Sequence, residues 1–206
     1  FGQTDIEWTR FFRTALGVRG DGYRYAVFAQ NPANSGSGTS GLVSPKLTAV
    51  LGPWVSTEFY ANYGRGFHSN DPRAATTRVD PISGEPVVGD SPLVPATGYE
   101  GGFRTVVVPR LQSTVAWWHL AFDSELVFVG DAGIAEASRP SERNGIEWTN
   151  YVRLTDSITG EFDLSLSKAR FADSDPGGDF IPGALDRVVA GGVTFSPEQR
   201  VFGSIR

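Results

Sequence analysis

"STEFYANYGRGFHSND", residues Ser56–Asp71, decides how the chain is read. Thr57, Phe59, Ala61 and Tyr63 fall on one side of an extended chain, and Glu58, Tyr60 and Asn62 on the other. Side chains that alternate in this way belong to a strand with one apolar and one polar face. The alternation ends at Gly64, Gly66 and Phe67 and gives way to His, Ser, Asn and Asp, where the strand is expected to enter a loop.

The same period of two recurs along the chain. In "TVAWWHLAFDSE", Ala116, Trp118, Leu120 and Phe122 are expected on the apolar face, and Trp117, His119, Ala121 and Asp123 on the polar one. In "NGIEWTNYVRL", Ile146, Trp148, Val152 and Leu154 oppose Glu147, Thr149, Tyr151 and Arg153. In "ITGEFDLSLSKARF", Ile158, Phe162, Leu164 and Leu166 oppose Thr159, Glu161, Asp163, Ser165 and Ser167. No segment carries a 3.6-residue apolar stripe, so helices are not expected.

Connections alternate between short (8–10, 52–55, 108–111, 155–157, 196–199) and long (29–41, 68–97, 131–144, 173–186). The long ones hold most of the Gly, Pro, Asn and Asp, as in "NPANSGSGTSG" and "DSDPGGD". Strands joined in this way run up and down, with all tight turns at one end. About ten strands are expected, the first and last cut short, and 11–28 and 111–130 are each long enough to be one tilted strand. Soluble strands average about five or six residues, whereas a membrane-spanning strand takes about nine to eleven. The predicted fold class is therefore all-β: an antiparallel up-and-down transmembrane β-barrel segment, with short periplasmic turns and long extracellular loops. Trp8, Phe11 and Trp54 would form one interfacial girdle, and Phe67, Tyr99 and Phe171 the other. The competing architecture is a soluble all-β sandwich that binds ligands through its loops.

Composition narrows the chemistry. Without cysteine there are no disulfides and no thiolate metal sites. A net charge of -5, with lysine only at positions 46 and 168, argues against a nucleic-acid partner. No apolar run reaches the roughly 18 to 20 residues of a membrane helix. The chain opens on Phe1 and lacks methionine, which suggests a piece of a longer protein.

Ordered motifs then carry a resemblance: "SPKL" at Ser44–Leu47, "YANYGRGFHSND" at Tyr60–Asp71, "GYEGGFRT" at Gly98–Thr105, "LQSTVAWW" from Leu111, "SELVFVGDAG" at Ser124–Gly133 and "IPGA" at Ile181–Ala184. This series resembles the C-terminal part of the barrel of TonB-dependent outer-membrane receptors. The resemblance implies an internal fragment, residues 1–206, of a 22-stranded barrel in the bacterial outer membrane. Such a barrel encloses a plug and is driven by the TonB complex through an N-terminal region. It carries a small molecule or metal chelate, usually a ferric siderophore, otherwise cobalamin, haem or a sugar, and it is not an enzyme.

Arg65, His68, Asn70 and Asp71 are the expected ligand contacts at the mouth, with His119 facing the lumen. A catalytic or metal role for His68 lacks partners, since His119 is the sole other imidazole. Asp173, Asp175 and Asp179 only loosely fit a calcium loop. Asp123 and Glu125, at i and i+2, have the spacing of a glycosidase pair but no cleft around them. Arg19 and Asp21 are expected to pair across the lumen face. Gly64 and Gly66 are expected to relieve strand packing or mark a bulge. No cofactor and no resident metal is expected.

Overall fold

The structure, a computed structural model, describes residues 1–89, 91–124, 126–129, 134–137, 139–173, 178–198 and 201–205. Ten strands form one antiparallel sheet in simple sequence order. They are β1 (Gly2–Thr9), β2 (Phe12–Val27), β3 (Gly36–Trp54), β4 (Thr57–Ser69), β5 (Leu93–Thr105), β6 (Leu111–Phe122), β9 (Ser141–Arg153), β10 (Ile158–Phe171), β11 (Arg187–Glu198) and β12 (Val201–Ile205). A separate hairpin, β7 (Leu126–Val129) with β8 (Ile134–Ala137), lies within the β6–β9 connection. Although no helix is expected, one short α-helix, α1 (Pro72–Thr76), follows β4, and a 3-10 turn spans Pro32–Asn34. Among the described residues nothing pairs β1 with β12, so the sheet is open.

All tight turns lie at one end and all long loops at the other, as the spacing predicts. Strand lengths depart from expectation in two places. "GSGTSG" lies in β3 rather than in a loop, because Tyr23–Val27 of β2 pairs with Gly36–Ser40. Ladder hydrogen bonds come from the backbone, so a glycine-rich run can extend a strand when its partner is long. The expected strand from 111 to 130 ends at Phe122, where the chain leaves for the β7–β8 hairpin.

Register builds the two faces. One row of directly opposed residues crosses eight strands: Phe12, Leu51, Phe59, Phe103, Val115, Trp148, Leu164 and Val189. The face stays uncovered, with Val189 60% and Trp117 50% exposed. Indoles on it satisfy their N–H groups locally. Trp8 donates to Thr14 Oγ1 at 2.9 Å and Trp148 to Ser113 Oγ at 3.0 Å. A row nearer the loops runs Leu47, Tyr63, Tyr99, His119, Asn144, Lys168, turning from apolar to polar. Strands tilted against a barrel axis produce this, because a row perpendicular to them climbs toward one rim.

Buried apolar residues among those described are few. Four of them, Ala75, Leu93, Val94 and Ala96, sit beneath or beside the 70–92 loop. A sandwich needs a second sheet packed face to face on the first; here the second sheet is a two-stranded hairpin.

β6 runs out of phase with expectation. Glu100 pairs with Trp118, Gly102 with Ala116 and Arg104 with Thr114, so Trp118, Leu120 and Phe122 share the face of Glu100 and Arg104. Trp117, His119 and Ala121 share the face of Tyr99 and Phe103. The strand is apolar on both sides, and only its polar neighbours fix the phase. Phe171 likewise opposes Ser141, on the polar face, where the Arg139 guanidinium lies 4.4 Å above its ring. It is therefore not part of the outer girdle.

Candidate functional site

Two depressions on the polar face lie over β2–β6. Nearer the tight turns, Glu58 accepts hydrogen bonds from Arg13 at 2.9 Å and Arg104 at 2.7 Å. The carboxylate on β4 gathers Arg104 from the adjacent β5 and Arg13 from β2, which reaches across the intervening β3. Thr48, Tyr60, Gln112 and Thr114 complete a hollow of about 320 Å³. Nearer the loops lies a hollow of about 440 Å³ around Gly64 and Gly98. Lys46, Asn62, Glu100, Trp118 and Leu120 border it, and Asn62 Nδ2 donates to Glu100 at 3.4 Å. Arg19 and Asp21 pair at 2.6 Å, as expected.

Three aromatic rings on the polar face lie flat against a glycine of the next strand. Tyr60 opposes Gly102, Trp118 opposes Gly145 and Tyr25 opposes Gly38. A Cβ at Gly145 would stand 2.4 Å from Trp118 Cζ2, and one at Gly38 2.6 Å from the Tyr25 hydroxyl. At Gly102 it would stand 2.3 Å from the Val115 carbonyl oxygen and 2.9 Å from the Tyr60 hydroxyl. Gly38 and Gly145 make room for rings, whereas Gly102 is needed first for the close approach of the Val115 carbonyl. Gly64 and Gly66 differ: a Cβ at either meets nothing within 4 Å, and β4 pairs with β5 without a register shift. They neither relieve packing nor mark a bulge.

The five expected ligand residues are not brought together. His68 lies on the polar face opposite Val94, its ring 5.9 Å from Phe122, and its buried Nε2 has no hydrogen-bond partner. Arg65 opposes Thr97 and, by parity, faces away with Tyr63. His119 bonds Asn144 Oδ1 through Nδ1 at 2.9 Å and stacks near Tyr99 at 6.1 Å, so it belongs to the apolar face and not the lumen. Asn70 is buried and closes the base of the 70–92 loop, its Nδ2 donating to Ser91 O at 3.0 Å. Asp71 caps α1, accepting from Arg73 N and Nε, both at 2.9 Å. The Arg73 guanidinium, with its backbone N–H, holds the Asp71 carboxyl below the usual carboxylate range.

The long loops are tied in pairs. Asn34, in the 28–35 loop, accepts from Arg78 N at 2.8 Å and Val79 N at 2.9 Å and donates to Val79 O at 2.8 Å. Arg139 donates to Asp173 at 2.6 Å and to Gly178 O at 2.9 Å, linking the 123–140 and 172–186 loops. That bond lowers the Asp173 carboxyl's pKa. Asp179 is held by Arg170 at 2.9 Å. Asp173 and Asp179 thus answer guanidinium groups rather than a shared cation; Asp175 and Glu125 lie outside the described residues. Among the described residues no cluster of three metal-ligating side chains occurs.

Residues 1–203 match the family model described as TonB dependent receptor-like, beta-barrel. No curated protein matches the chain. Among solved structures, the copper transporter OprC superposes with a TM-score of 0.73 at 16% identity, over 95% of this chain and 31% of that one. The ferric yersiniabactin uptake receptor FyuA from Yersinia pestis gives 0.69 at 14% identity, over 94% and 30%. The ferric-catecholate import receptor Fiu from K12 E. coli gives 0.67 at 16%, over 92% and 30%. The chain thus spans under a third of each of these proteins. Ten meandering strands, one greasy face, one polar face and a family match over nearly every residue agree: the chain belongs to the TonB-dependent receptor β-barrel family.

Proposed function

We propose that residues 1–206 are part of the wall of an outer-membrane active transporter that takes up a scarce nutrient with TonB-derived energy. A ferric siderophore or similar metal chelate is the substrate this reading favours. The similar solved proteins are named for copper, ferric catecholate and ferric yersiniabactin. The chain's role is to span, line and bind, without catalysis. Its apolar face meets lipid, its tight turns point to the periplasm, and its long loops face the outside. The TonB complex would act through a region outside residues 1–206.

The observation that carries this reading is the uncovered apolar face backed by a polar face with hollows. A lumen wall needs both at once. Of the expected mouth residues, His68 is the one on the polar face at the loop end; its Nε2 is buried there, so it would act by packing the base of the loop beside Phe122. Arg65, Asn70, Asp71 and His119 would act from the rim or through the loops they hold.

The test is growth and radiolabelled-iron uptake in cells lacking the full-length gene, with and without its return, in tonB-intact and tonB-null backgrounds. The reading expects chelate uptake restored only where TonB is intact. Uptake unchanged by loss of the gene for every chelate tried, or indifferent to TonB, would sink it.

A further inference from the structure

The fold accounts for Gly38, Gly102 and Gly145, which lie under aromatic rings, but not for Gly64. Gly64 opposes Gly98, and the next pair toward the loops is Gly66 and Ala96. Four neighbouring positions on two strands thus carry almost no side chain, and at Gly64 and Gly66 nothing of the described chain fills the space. At Gly98 a Cβ would meet only Leu120 Cδ1, at an ordinary 3.6 Å, and His119 O at 3.8 Å. The result is a flat backbone floor in a hollow of about 440 Å³, within the range of small-molecule sites.

The walls are chemically sorted. Leu120 and the Trp118 indole form one side, and the indole's other face rests on Gly145. Lys46 forms the opposite side, directly across from Gly64. Its ammonium is exposed and has no ion pair among the described residues. Glu100 stands one row nearer the tight turns beside Asn62. On the other side of the sheet, at this same height, Tyr63, Tyr99 and the His119–Asn144 pair mark the upper rim of the apolar belt. The hollow is therefore at the loop end of the wall.

We propose that this hollow is a subsite for a planar aromatic ring bearing one negative charge. It rests on the reading of the polar face as a transporter's inner wall. The ring lies on the Gly64–Gly98 floor against Trp118 and Leu120, where flat apolar area is buried at no side-chain cost. The anion turns to Lys46. Glu100 disfavours a second negative charge on the ring's far edge. A side chain at position 64 occupies the ring's place without disturbing the sheet.

The experiment uses the purified full-length receptor in detergent and three probes of similar size: 2-naphthoate, neutral 2-naphthamide and non-planar cyclohexanecarboxylate. Equilibrium dialysis is expected to show 2-naphthoate binding about 10-fold tighter than either control, the worth of one charge contact or one stacked ring. Lys46→Met should cost 2-naphthoate about 10-fold and leave 2-naphthamide unchanged. Gly64→Leu should abolish binding of both planar probes, with heat-modifiable migration unaltered as the check on folding. Equal binding of the three probes, or Lys46→Met behaving as the parent protein, overturns the proposal whether or not Gly64→Leu folds. Binding and uptake fail separately: lost naphthoate binding with intact TonB-dependent uptake removes the subsite alone.

Discussion

Gly145→Ala should destabilise the full-length receptor only while Trp118 is present. The new Cβ would lie 2.4, 2.5 and 2.8 Å from Trp118 Cζ2, Cε2 and Nε1, closer than carbon tolerates. All three atoms belong to one ring, so the backbone can stay and the indole must lift. A tryptophan buries 150–250 Å², and losing one face, about 100 Å² at 25 cal/mol/Å², costs about 2.5 kcal/mol. That agrees with about 1–3 kcal/mol for overpacking. In a Trp118→Ala background the three nearest obstacles are gone, and the same change should gain about 0.5–1 kcal/mol, because alanine suits a strand better than glycine. The coupling energy is therefore about 3 kcal/mol. Urea unfolding midpoints of the four receptors in one detergent, followed by tryptophan fluorescence and by gel migration, give the cycle directly. A coupling below about 0.5 kcal/mol, the scatter expected of independent sites, would show that the ring does not lie on Gly145.

Three further outcomes follow from the loops and turns. Asp71 has a depressed pKa, so its cap on α1 is fully present above the unfolded value of about 3.9 and is lost as pH falls through the lowered folded value; amide exchange at residues 73–77 should stay protected from neutral pH to about pH 4, and loss already at pH 5–6 would refute the pairing with Arg73. Asn34→Ala strands the Arg78 and Val79 N–H groups and the Val79 carbonyl; at about 2 kcal/mol, cleavage within 78–89 by a nonspecific protease should quicken about 30-fold, and an unchanged rate would mean the two loops are held elsewhere. Val55 and Ser56 form a two-residue turn with φ of 47° and 58°; Val55→Asn with Ser56→Gly should stabilise by about 1–2 kcal/mol, read as a higher unfolding midpoint, since a β-branched residue is poorly suited to the left-handed region.

Much of this wall is legible in sequence because a barrel strand has two unlike environments. In the middle of β4, β9 and β10, Glu58, Glu147, Glu161 and Asp163 fall on one face, opposite Phe59, Ile146, Trp148, Phe162 and Leu164, and the faces can be read without a partner. β6 cannot be read this way. Ala116, Trp118, Leu120 and Phe122 make as good an apolar stripe as Val115, Trp117 and Ala121, and the inner stripe is the more apolar. Its phase comes from Glu100 and Glu147 on the flanking strands, which is non-local information. His119 shares this phase, and the partner that shows its face, Asn144, is 25 residues away on β9. The hollow is illegible in the sequence for a related reason. Gly64 and Gly98 look like strand-weakening residues until register sets them side by side. The Glu58 bridge draws Arg13 and Arg104 from the ends of two other strands, and no local motif announces it.

The two faces also constrain each other energetically. Leu16, Val18, Val43, Leu47, Leu51, Phe59, Trp117, Ile146, Trp148, Phe162, Val189 and Val193 remain between two-fifths and two-thirds exposed on one side of the sheet. Covering each would contribute about 1 kcal/mol, half of a full burial. Together that rivals the 5–15 kcal/mol net stability of a whole domain, so a sheet with this face left in water has no margin to exist. In the proposed transporter wall, hydrocarbon covers it. Once it does, the polar face is released from making a core and need only satisfy its own hydrogen bonds. That freedom allows a bare glycine floor, a bridging glutamate and, among the described residues, a lysine without an ion pair on the inner side, which a packed soluble sheet would have had to fill.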